Sequence, residues 1–309
     1  MRAWRIHGYG GPEVLALERV PVPVPGPGEL LLRVAAASVN PIDWKMRSGH
    51  LRDVFPLAFP RVLGRDCAGT VVAVGEGVTG AAPGAAAAGV ADPAKDGTHA
   101  EYAILPAVQA APLPAGLAPA AAACLCVSGL SAYVPLVEDA GVAAGMRVLV
   151  HGGAGGVGGL AIQIARHLGA EVLATCGAGN RDYCVALGAA RAIDYAAGDF
   201  VAAAGPCDVV LDTVGGAVHA RSLAALRPGG VLVALAAAPV PAGAARADVT
   251  VIRSRIRPTR ERLARLFDWA VRGIVAPQIR ATFRFEDLPE AYRMSETGHA
   301  RGKLIVALA

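Results

Sequence analysis

The chain has 309 residues, is 54% hydrophobic but only 5% aromatic, and carries 29 Lys and Arg against 25 Asp and Glu, a formal net charge of +4. That length exceeds one ordinary nucleotide-binding unit and fits two domains, and the alanine-inflated apolar content implies a large core packed with small side chains. The charge is spread along the sequence, so composition argues against a nucleic-acid footprint.

The first residues, Met1-Arg2-Ala3-Trp4-Arg5, lack the apolar region of a secretory signal. Strand-forming segments follow at Glu29 to Ala35, Gly69 to Gly75 and Ala100 to Ile104, separated by Pro/Gly-rich turns such as Pro21 to Gly28. They predict a small antiparallel, barrel-like domain. Cys67, Cys124, Cys126, Cys176, Cys184 and Cys207 form no CxxC pair, so buried, reduced thiols are expected. No charged residue lies between Glu101 and Glu138, but Pro106, Pro112, Pro114, Pro119 and Pro135 interrupt that stretch. A clean apolar span of about twenty residues is therefore not expected, and the expectation is a soluble, cytoplasmic protein without a membrane partner.

A helical stretch from Ala120 to about Val134 leads to a strand at Arg147, and the most informative motif comes next. Val148-Leu149-Val150 reads as a buried parallel strand, and His151-Gly152-Gly153-Ala154-Gly155-Gly156-Val157-Gly158 turns from it into a helix. Leu160, Ala161, Ile164, Ala165 and Leu168 recur at the spacing of one buried helix face. Gly153, Gly155 and Gly158 have distinct tasks: a tight turn, close backbone approach to a pyrophosphate, and close packing of helix on strand. The helix N-terminus, from Ala154 through Gly156 and Val157, offers free N–H groups to phosphates. Dinucleotide binding is the expectation.

The second strand, Glu171 to Thr175, ends without the acidic residue that accepts an NAD ribose hydroxyl. In its place stand Cys176-Gly177-Ala178-Gly179-Asn180-Arg181. Arg181 either pairs with the 2′-phosphate of NADP(H) or, neutralised by the adjacent Asp182, is a solvated helix-start arginine. NADPH is the favoured cofactor. Strand and helix signals then alternate: Cys207 to Asp212, a helix through Leu226, Gly230 to Leu235, and Asp248 to Arg253. This alternation marks a doubly wound parallel sheet, an α/β fold. In the basic stretch Arg253, Arg255, Arg257, Arg260, Arg262 and Arg265, most arginines are expected on a solvated face. Leu263, Leu266, Phe267, Ala270 and Val271 make the buried face of the helix from Thr259. That helix and a last strand, Lys303 to Leu308, are expected to return to the first domain. The predicted domains are residues 1–119, 120–258 and 259–309, the last belonging with the first.

Several motifs together resemble the medium-chain dehydrogenase/reductase superfamily, in its zinc-free quinone oxidoreductase (zeta-crystallin-like) branch. They are Ala37-Ser38-Val39-Asn40-Pro41-Ile42-Asp43-Trp44-Lys45-Met46-Arg47-Ser48-Gly49, Gly64-Arg65-Asp66-Cys67-Ala68-Gly69-Thr70-Val71, and the glycine turn. Leu211-Asp212-Thr213-Val214-Gly215-Gly216, Leu226-Arg227-Pro228-Gly229-Gly230 and Gly298-His299-Ala300-Arg301-Gly302-Lys303 complete the series. The resemblance covers the chain end to end. It implies a GroES-like β-barrel-type catalytic domain split by a Rossmann cofactor domain, an active site in the cleft between them, and a homodimer.

Zinc-dependent members hold catalytic zinc with a thiolate and an imidazole. This chain has Asn40 where they carry the cysteine and Arg65-Asp66 where they carry His-Glu, and no cysteine lies between Cys67 and Cys124 to build a structural zinc lobe. Without a Lewis acid the implied reaction is hydride addition to a quinone or to the C=C of an α,β-unsaturated carbonyl, acceptors that delocalise charge themselves. The alternatives are a biosynthetic enoyl reductase and a non-catalytic NADPH-binding sensor. The same resemblance implies roles for single residues. Lys45 either holds the substrate carbonyl or is a rim residue, and Asn40 touches the nicotinamide ribose or the substrate. Tyr195 lies near the adenosine phosphate or simply packs. Asn180, Val214, Arg301 and Lys303 join the cofactor contacts. Asp43 is expected to pair with Arg65, and Asp66 to reach Lys303 or Arg301. The small residues of Gly84 to Val90 and of the loop Ala236 to Ala247 suggest a roomy pocket.

Overall fold

The computed structural model describes residues 1–235 and 246–308, which form two compact units. The first comprises Met1–Val127, Pro258–Gly273 and Pro277–Ala309; the second comprises Ser128–Arg257 and Ile274–Ala276. In chain order the first unit opens with strands β1 (Arg2–Ile6), β2 (Ala16–Arg19), β3 (Glu29–Val39), β4 (Arg61–Val62), β5 (Asp66–Val74), β6 (Ala86–Val90), β7 (Tyr102–Pro106) and β8 (Ala110–Pro112). Helix α1 (Pro41–Arg47) leaves β3, and α2 (Pro119–Tyr133) follows β8.

The second unit contains β9 (Arg147–Val150), α3 (Gly156–His167), β10 (Glu171–Cys176), α4 (Arg181–Ala186) and β11 (Arg191–Asp194). It continues with α5 (Phe200–Ala204), β12 (Cys207–Asp212), α6 (Ala217–Ser222), β13 (Leu226–Ala234) and β14 (Thr250–Arg253). The chain then returns to the first unit with α7 (Arg260–Val271), β15 (Ile279–Arg284), α8 (Leu288–Glu296) and β16 (Lys303–Ala307).

In the first unit one sheet runs β15-β16-β3-β5-β6-β8 with β7 paired to β3, and a small sheet runs β2-β1-β4. The main sheet is antiparallel except where β15 joins β16. β3 is buried along nearly its whole length, so its apolar residues read as a run rather than an alternation. Gly69 permits β5 to lie close to β3, because a Cβ there would fall 2.0 Å from the Arg33 carbonyl oxygen. The alanine-rich segment follows the same rule. Ala87 to Val90 are buried in β6 between β5 and β8, and a Cβ on Gly89 would fall 2.5 Å from the Gln109 oxygen. From Ala87 to Val90 the small residues of this segment, expected to border a roomy pocket, therefore serve close strand packing, whereas Gly84, Ala85 and Ala86 are exposed. The other half of that expectation, the loop from Ala236, lies outside the described residues up to residue 245.

The six-stranded sheet of the second unit is parallel throughout, in the order β11-β10-β9-β12-β13-β14. That is the doubly wound order, in which the chain reverses direction across the sheet after the first three strands. Leu149, Leu173, Val210 and Leu232 share one core on this sheet. Helix α3 buries Leu160, Ala161, Ile164 and Ala165 as its spacing predicts, and leaves Leu168 half-buried. On α7, Leu263, Leu266, Phe267 and Trp269 are buried, whereas Val271 is half exposed.

The second unit begins at Ser128, inside α2, and not at residue 120. The first half of that helix is tied to β5, for the Val127 N–H donates to Asp66 Oδ2 at 2.8 Å. Ile274–Ala276 belongs with the second unit because Gln163 on α3 donates to the Ala276 oxygen and accepts from its N–H. The prolines do not interrupt the apolar stretch as expected. Pro119–Asp139 is one helical path of 21 residues, long and apolar enough to cross a membrane by length and composition, and most of it is buried inside the protein. Pro135 is accommodated because Val134–Asp139 winds as a wider π-helical turn with the proline in its first turn.

Candidate active site

In the second unit the site grows from the end of β9. Gly152 has φ +66, the left-handed region, and a Cβ there would fall 2.7 Å from the Thr213 hydroxyl. The tight turn thus falls on Gly152, one residue before the glycines to which the motif assigned it. A Cβ on Gly153 would meet Ala174 Cβ at 2.8 Å, and one on Gly158 would meet the Gly152 carbonyl oxygen at 2.1 Å. Gly153 therefore seats the turn against β10, and Gly158 lets α3 lie against the turn itself. Gly155 is the residue before the helix and Gly156 its first. The N–H groups at the start of α3 have no partner within the helix and sit at its positive dipole end. Ala154, Gly156, Val157 and Gly158 thus present backbone donors where a diphosphate would lie, whereas the Gly155 N–H already donates to the Gly152 carbonyl at 2.9 Å.

A chain of buried hydrogen bonds braces the turn. His151 Nδ1 lies 3.0 Å from Thr175 Oγ1, and its Nε2 lies 2.9 Å from Ser222 Oγ. Thr175 Oγ1 also accepts from the Gly152 N–H at 3.3 Å, and Thr213 donates to the His151 carbonyl at 2.7 Å. Desolvation pushes the His151 imidazole down to about 4, so it is neutral at physiological pH.

After β10 the segment Cys176 to Asn180 contains no carboxylate. Arg181 opens α4, is exposed, and makes no ion pair among the described residues; the exposed Asp182 beside it does not neutralise it. Asn180 is half-buried in the turn before it. Tyr195 follows β11 with 52% of its surface exposed, and its hydroxyl would lie 3.5 Å from a Cβ on Gly177. Val214 is 52% exposed just beyond β12, where its N–H and that of Gly215 both donate to Asp212 Oδ1 at 2.8 Å. The turn, Arg181, Tyr195 and Val214 all stand past the carboxyl ends of parallel strands, where ligands bind in open α/β sheets.

The first unit holds a buried polar cluster. Asn40 precedes α1, and its N–H donates to Asp43 Oδ2 at 2.7 Å. Its side-chain amide donates to Asp66 Oδ1 at 2.9 Å and Ser38 Oγ at 3.2 Å, and its oxygen accepts from Lys303 Nζ at 2.7 Å. Lys303 also donates to the Val39 carbonyl at 3.0 Å, and Ser38 donates to Asp66 Oδ1 at 2.5 Å. Asp66 therefore reaches Lys303 through Asn40 and not directly. Lys303 is buried, with its ammonium turned into the first unit, whereas Arg301 is exposed. The structure gives Asn40 and Lys303 an internal partnership that spacing did not assign.

The expected ion pair between Asp43 and Arg65 does not form. Asp43 Oδ1 and Arg65 Nε are both buried without a hydrogen-bond partner, since Asp43 turns its other oxygen to the start of α1. Desolvation, with Asp66 nearby, pushes the Asp43 carboxyl up to about 7. His99, also buried, lies 3.1 Å from the Tyr292 hydroxyl and 3.3 Å from the Ser38 carbonyl, and burial pushes it down to about 4. Lys45 is half-buried on α1, its ammonium 5.6 Å from the centre of the Trp44 ring. The cluster went unseen in sequence because it joins positions as far apart as Asn40 and Lys303, and no local pattern marks His99.

This donor set does not fit zinc. It offers an amide at Asn40 and a guanidinium at Arg65, and both oxygens of Asp66 are already taken by Ser38, Asn40 and Val127. All six cysteines are buried and free, and desolvation raises their thiols, which disfavours thiolate ligation.

Residues 26–115 match a family model described as an alcohol dehydrogenase GroES-like domain, and residues 187–306 match one described as a zinc-binding dehydrogenase. The chain is 35% identical over 318 residues to a 2-methylene-furan-3-one reductase of Solanum lycopersicum, covering 99% of this chain and 79% of that protein. It superposes on a quinone oxidoreductase from Coxiella burnetii with a TM-score of 0.93 at 32% identity, covering 100% of this chain and 99% of that one. With an Escherichia coli quinone oxidoreductase complexed with NADPH the TM-score is 0.89 at 27% identity, covering 99% of this chain and 100% of the other.

Proposed function

This chain belongs to the zinc-free quinone oxidoreductase branch of the medium-chain dehydrogenase/reductase superfamily, and from that premise we propose that it uses NADPH to reduce a quinone or the C=C bond of an enone or enal. The observation that carries the reading is the pairing of a glycine cradle with an uncancelled Arg181, in a chain whose buried polar cluster cannot ligate zinc. When bound, NADPH supplies a hydride. The backbone donors of Ala154, Gly156, Val157 and Gly158 would hold its diphosphate, Arg181 with Asn180 and Tyr195 would meet the 2′-phosphate end, and Val214 would pack beside the dinucleotide.

With no Lewis acid to gather an alkoxide charge, the acceptor must spread the incoming charge through its own conjugation, which favours quinones and α,β-unsaturated carbonyls over simple ketones. Lys45 donates to the acceptor carbonyl and favours the charge that develops there. The tomato relative is a reductase of a methylene-furanone, which supports an enone as one acceptor class. A cytoplasmic location and a homodimer go with this reading; the edge position of β14, with Thr250 and Arg253 exposed, supports pairing with a second copy.

The test is NADPH oxidation with quinones, enones and enals, run with and without a chelator, together with elemental analysis. Turnover is expected on at least one acceptor class, unchanged by the chelator, with no stoichiometric zinc. Tight NADPH binding with no turnover on any acceptor would indicate a sensor instead, and chelator-sensitive turnover would overturn the zinc-free chemistry.

A further inference from the structure

Arg65 stands immediately before β5 and is only 8% exposed, yet its guanidinium makes no hydrogen bond and no ion pair among the described residues. A buried cation without a partner is costly, because water is removed and nothing replaces it. The carboxylates near enough to influence it are Asp43, Asp66 and Asp92. None of the three is hydrogen-bonded to it. Asp66 accepts from Ser38, Asn40 and Val127, Asp92 Oδ1 accepts from the Ala94 N–H, and Asp43 accepts from the Asn40 N–H. The guanidinium is therefore left without a direct partner, while these carboxylates offset only part of its charge. Arg65 is followed by Asp66, which is bonded to Asn40, the residue that precedes α1, the helix that carries Lys45.

We propose that Arg65 is a catalytic residue of the reduction, its guanidinium binding the acceptor oxygen that becomes negative, so that the favoured substrates are those whose reduced form is an enolate or a hydroquinone anion. This rests on the reading of the chain as an NADPH-dependent reductase. For an enone, hydride forms a C–H bond at the β carbon, the C=C pair moves to the bond between the α carbon and the carbonyl carbon, and the carbonyl pair moves onto oxygen. NADPH is oxidised to NADP⁺, and a proton from water then completes the α carbon. For a quinone the same two electrons leave a hydroquinone monoanion, which takes its proton from water. In both cases the charge arrives on an oxygen that a planar, permanently charged fork can hold with two donors. Lys45 is half-buried and on a flexible stem, so its charge is partly screened. Arg65 is only 8% exposed, so its charge is screened less.

The experiment compares the parent with Arg65→Met, which keeps the length and removes the charge, and with Arg65→Lys, which keeps the charge. Turnover on a quinone and an enone is expected to fall about a hundredfold in Arg65→Met and far less in Arg65→Lys, with the NADPH dissociation constant unchanged in both. Binding of 4-nitrophenolate, a stand-in for the hydroquinone anion, is measured on the same proteins against 4-nitroanisole, its uncharged counterpart. The parent is expected to prefer the phenolate about tenfold or more, and Arg65→Met to lose the preference. Equal binding of the two probes by the parent overturns the proposal, and this needs no variant to fold. Equal turnover in the parent and a folded Arg65→Met also overturns it while leaving the reductase reading intact. A parent that binds NADPH but reduces nothing would instead remove the reading on which the proposal rests.

Discussion

Asp43 sits wholly buried among Asp66, Lys303, Arg65 and Tyr292, and desolvation lifts its carboxyl from 3.8 to about 7. Between those values the folded protein holds a proton that the unfolded chain has released. The stability contributed by Asp43 is therefore complete below the unfolded value and is lost as pH rises through about 7, with an upper bound of about 4 kcal/mol. Asp43→Asn keeps an oxygen to accept from the Asn40 N–H and removes the titration. Its melting temperature relative to the parent is expected to rise from about pH 5 to about pH 8; a constant difference across that range would place the titrating group elsewhere. Arg181 is the complementary case, an exposed cation that makes no ion pair among the described residues. Arg181→Ala is expected to weaken NADPH about tenfold or more, a charge-assisted contact of roughly 1.5–3 kcal/mol, and to leave NADH unchanged. Paired titrations of parent and variant read this directly. Lys45→Ala is expected to slow single-turnover hydride transfer about tenfold without altering NADPH affinity, less than the loss at Arg65 because Lys45 is half-buried and flexible.

The turn between β9 and α3 is held by donors arranged in one direction. Ser222 Oγ donates to the Val218 carbonyl at 2.6 Å, so it accepts from His151 Nε2. A neutral imidazole with its proton on Nε2 must accept at Nδ1, so the Thr175 hydroxyl donates to it and keeps a lone pair for the Gly152 N–H. This also explains why Thr175, near the end of the second strand, does not serve a ribose: its hydroxyl is spent on the turn. Thr175→Val is expected to weaken NADPH and NADH alike by roughly threefold to tenfold, and Thr175→Ser to restore both. Loss of NADPH binding alone would tie Thr175 to the 2′-phosphate instead. Gly158→Ala drives a Cβ to within 2.1 Å of the Gly152 oxygen, backbone that cannot give way. That variant is expected to lose binding of both dinucleotides and more than about 1 kcal/mol of stability, read by titration and by melting.

At the scale of the molecule, the last strand closes the sheet of the first unit from within. β16 lies between β15 and β3, and Leu304, Ile305 and Val306 are buried at 2%, 0% and 1% exposure. Burial of each such side chain is worth ~1.5–3 kcal/mol, so the three together are comparable to the whole stability of a small domain. A chain stopped after Gly302 also loses the Lys303 bond to Asn40. It is expected to lose the cooperative melting of the first unit, followed by circular dichroism on heating; an unchanged melt would show that β3 and β5 hold the sheet by themselves.

What the sequence determined by itself was whatever depends on neighbours along the chain. The strand–glycine–helix order around Gly153 to Gly158, the absence of a carboxylate after β10, and the alternation from β9 to β14 each follow from short-range pattern, and so do the buried faces of α3 and most of α7. The family motifs carried the two-domain expectation and the replacement of zinc ligands by Asn40 and Arg65. Only the tertiary structure decided who partners whom. Asn40 meets Asp66 across 26 positions and Lys303 across 263, and no periodicity encodes a bond of that length. The same holds for Arg65 and Asp43, whose ion pair the family resemblance implied. Each carboxylate takes whichever donors the folded backbone brings closest, so Asp43 turns to the N–H of Asn40, Asp66 is filled by Ser38, Asn40 and Val127, and the guanidinium of Arg65 is left buried and unpaired.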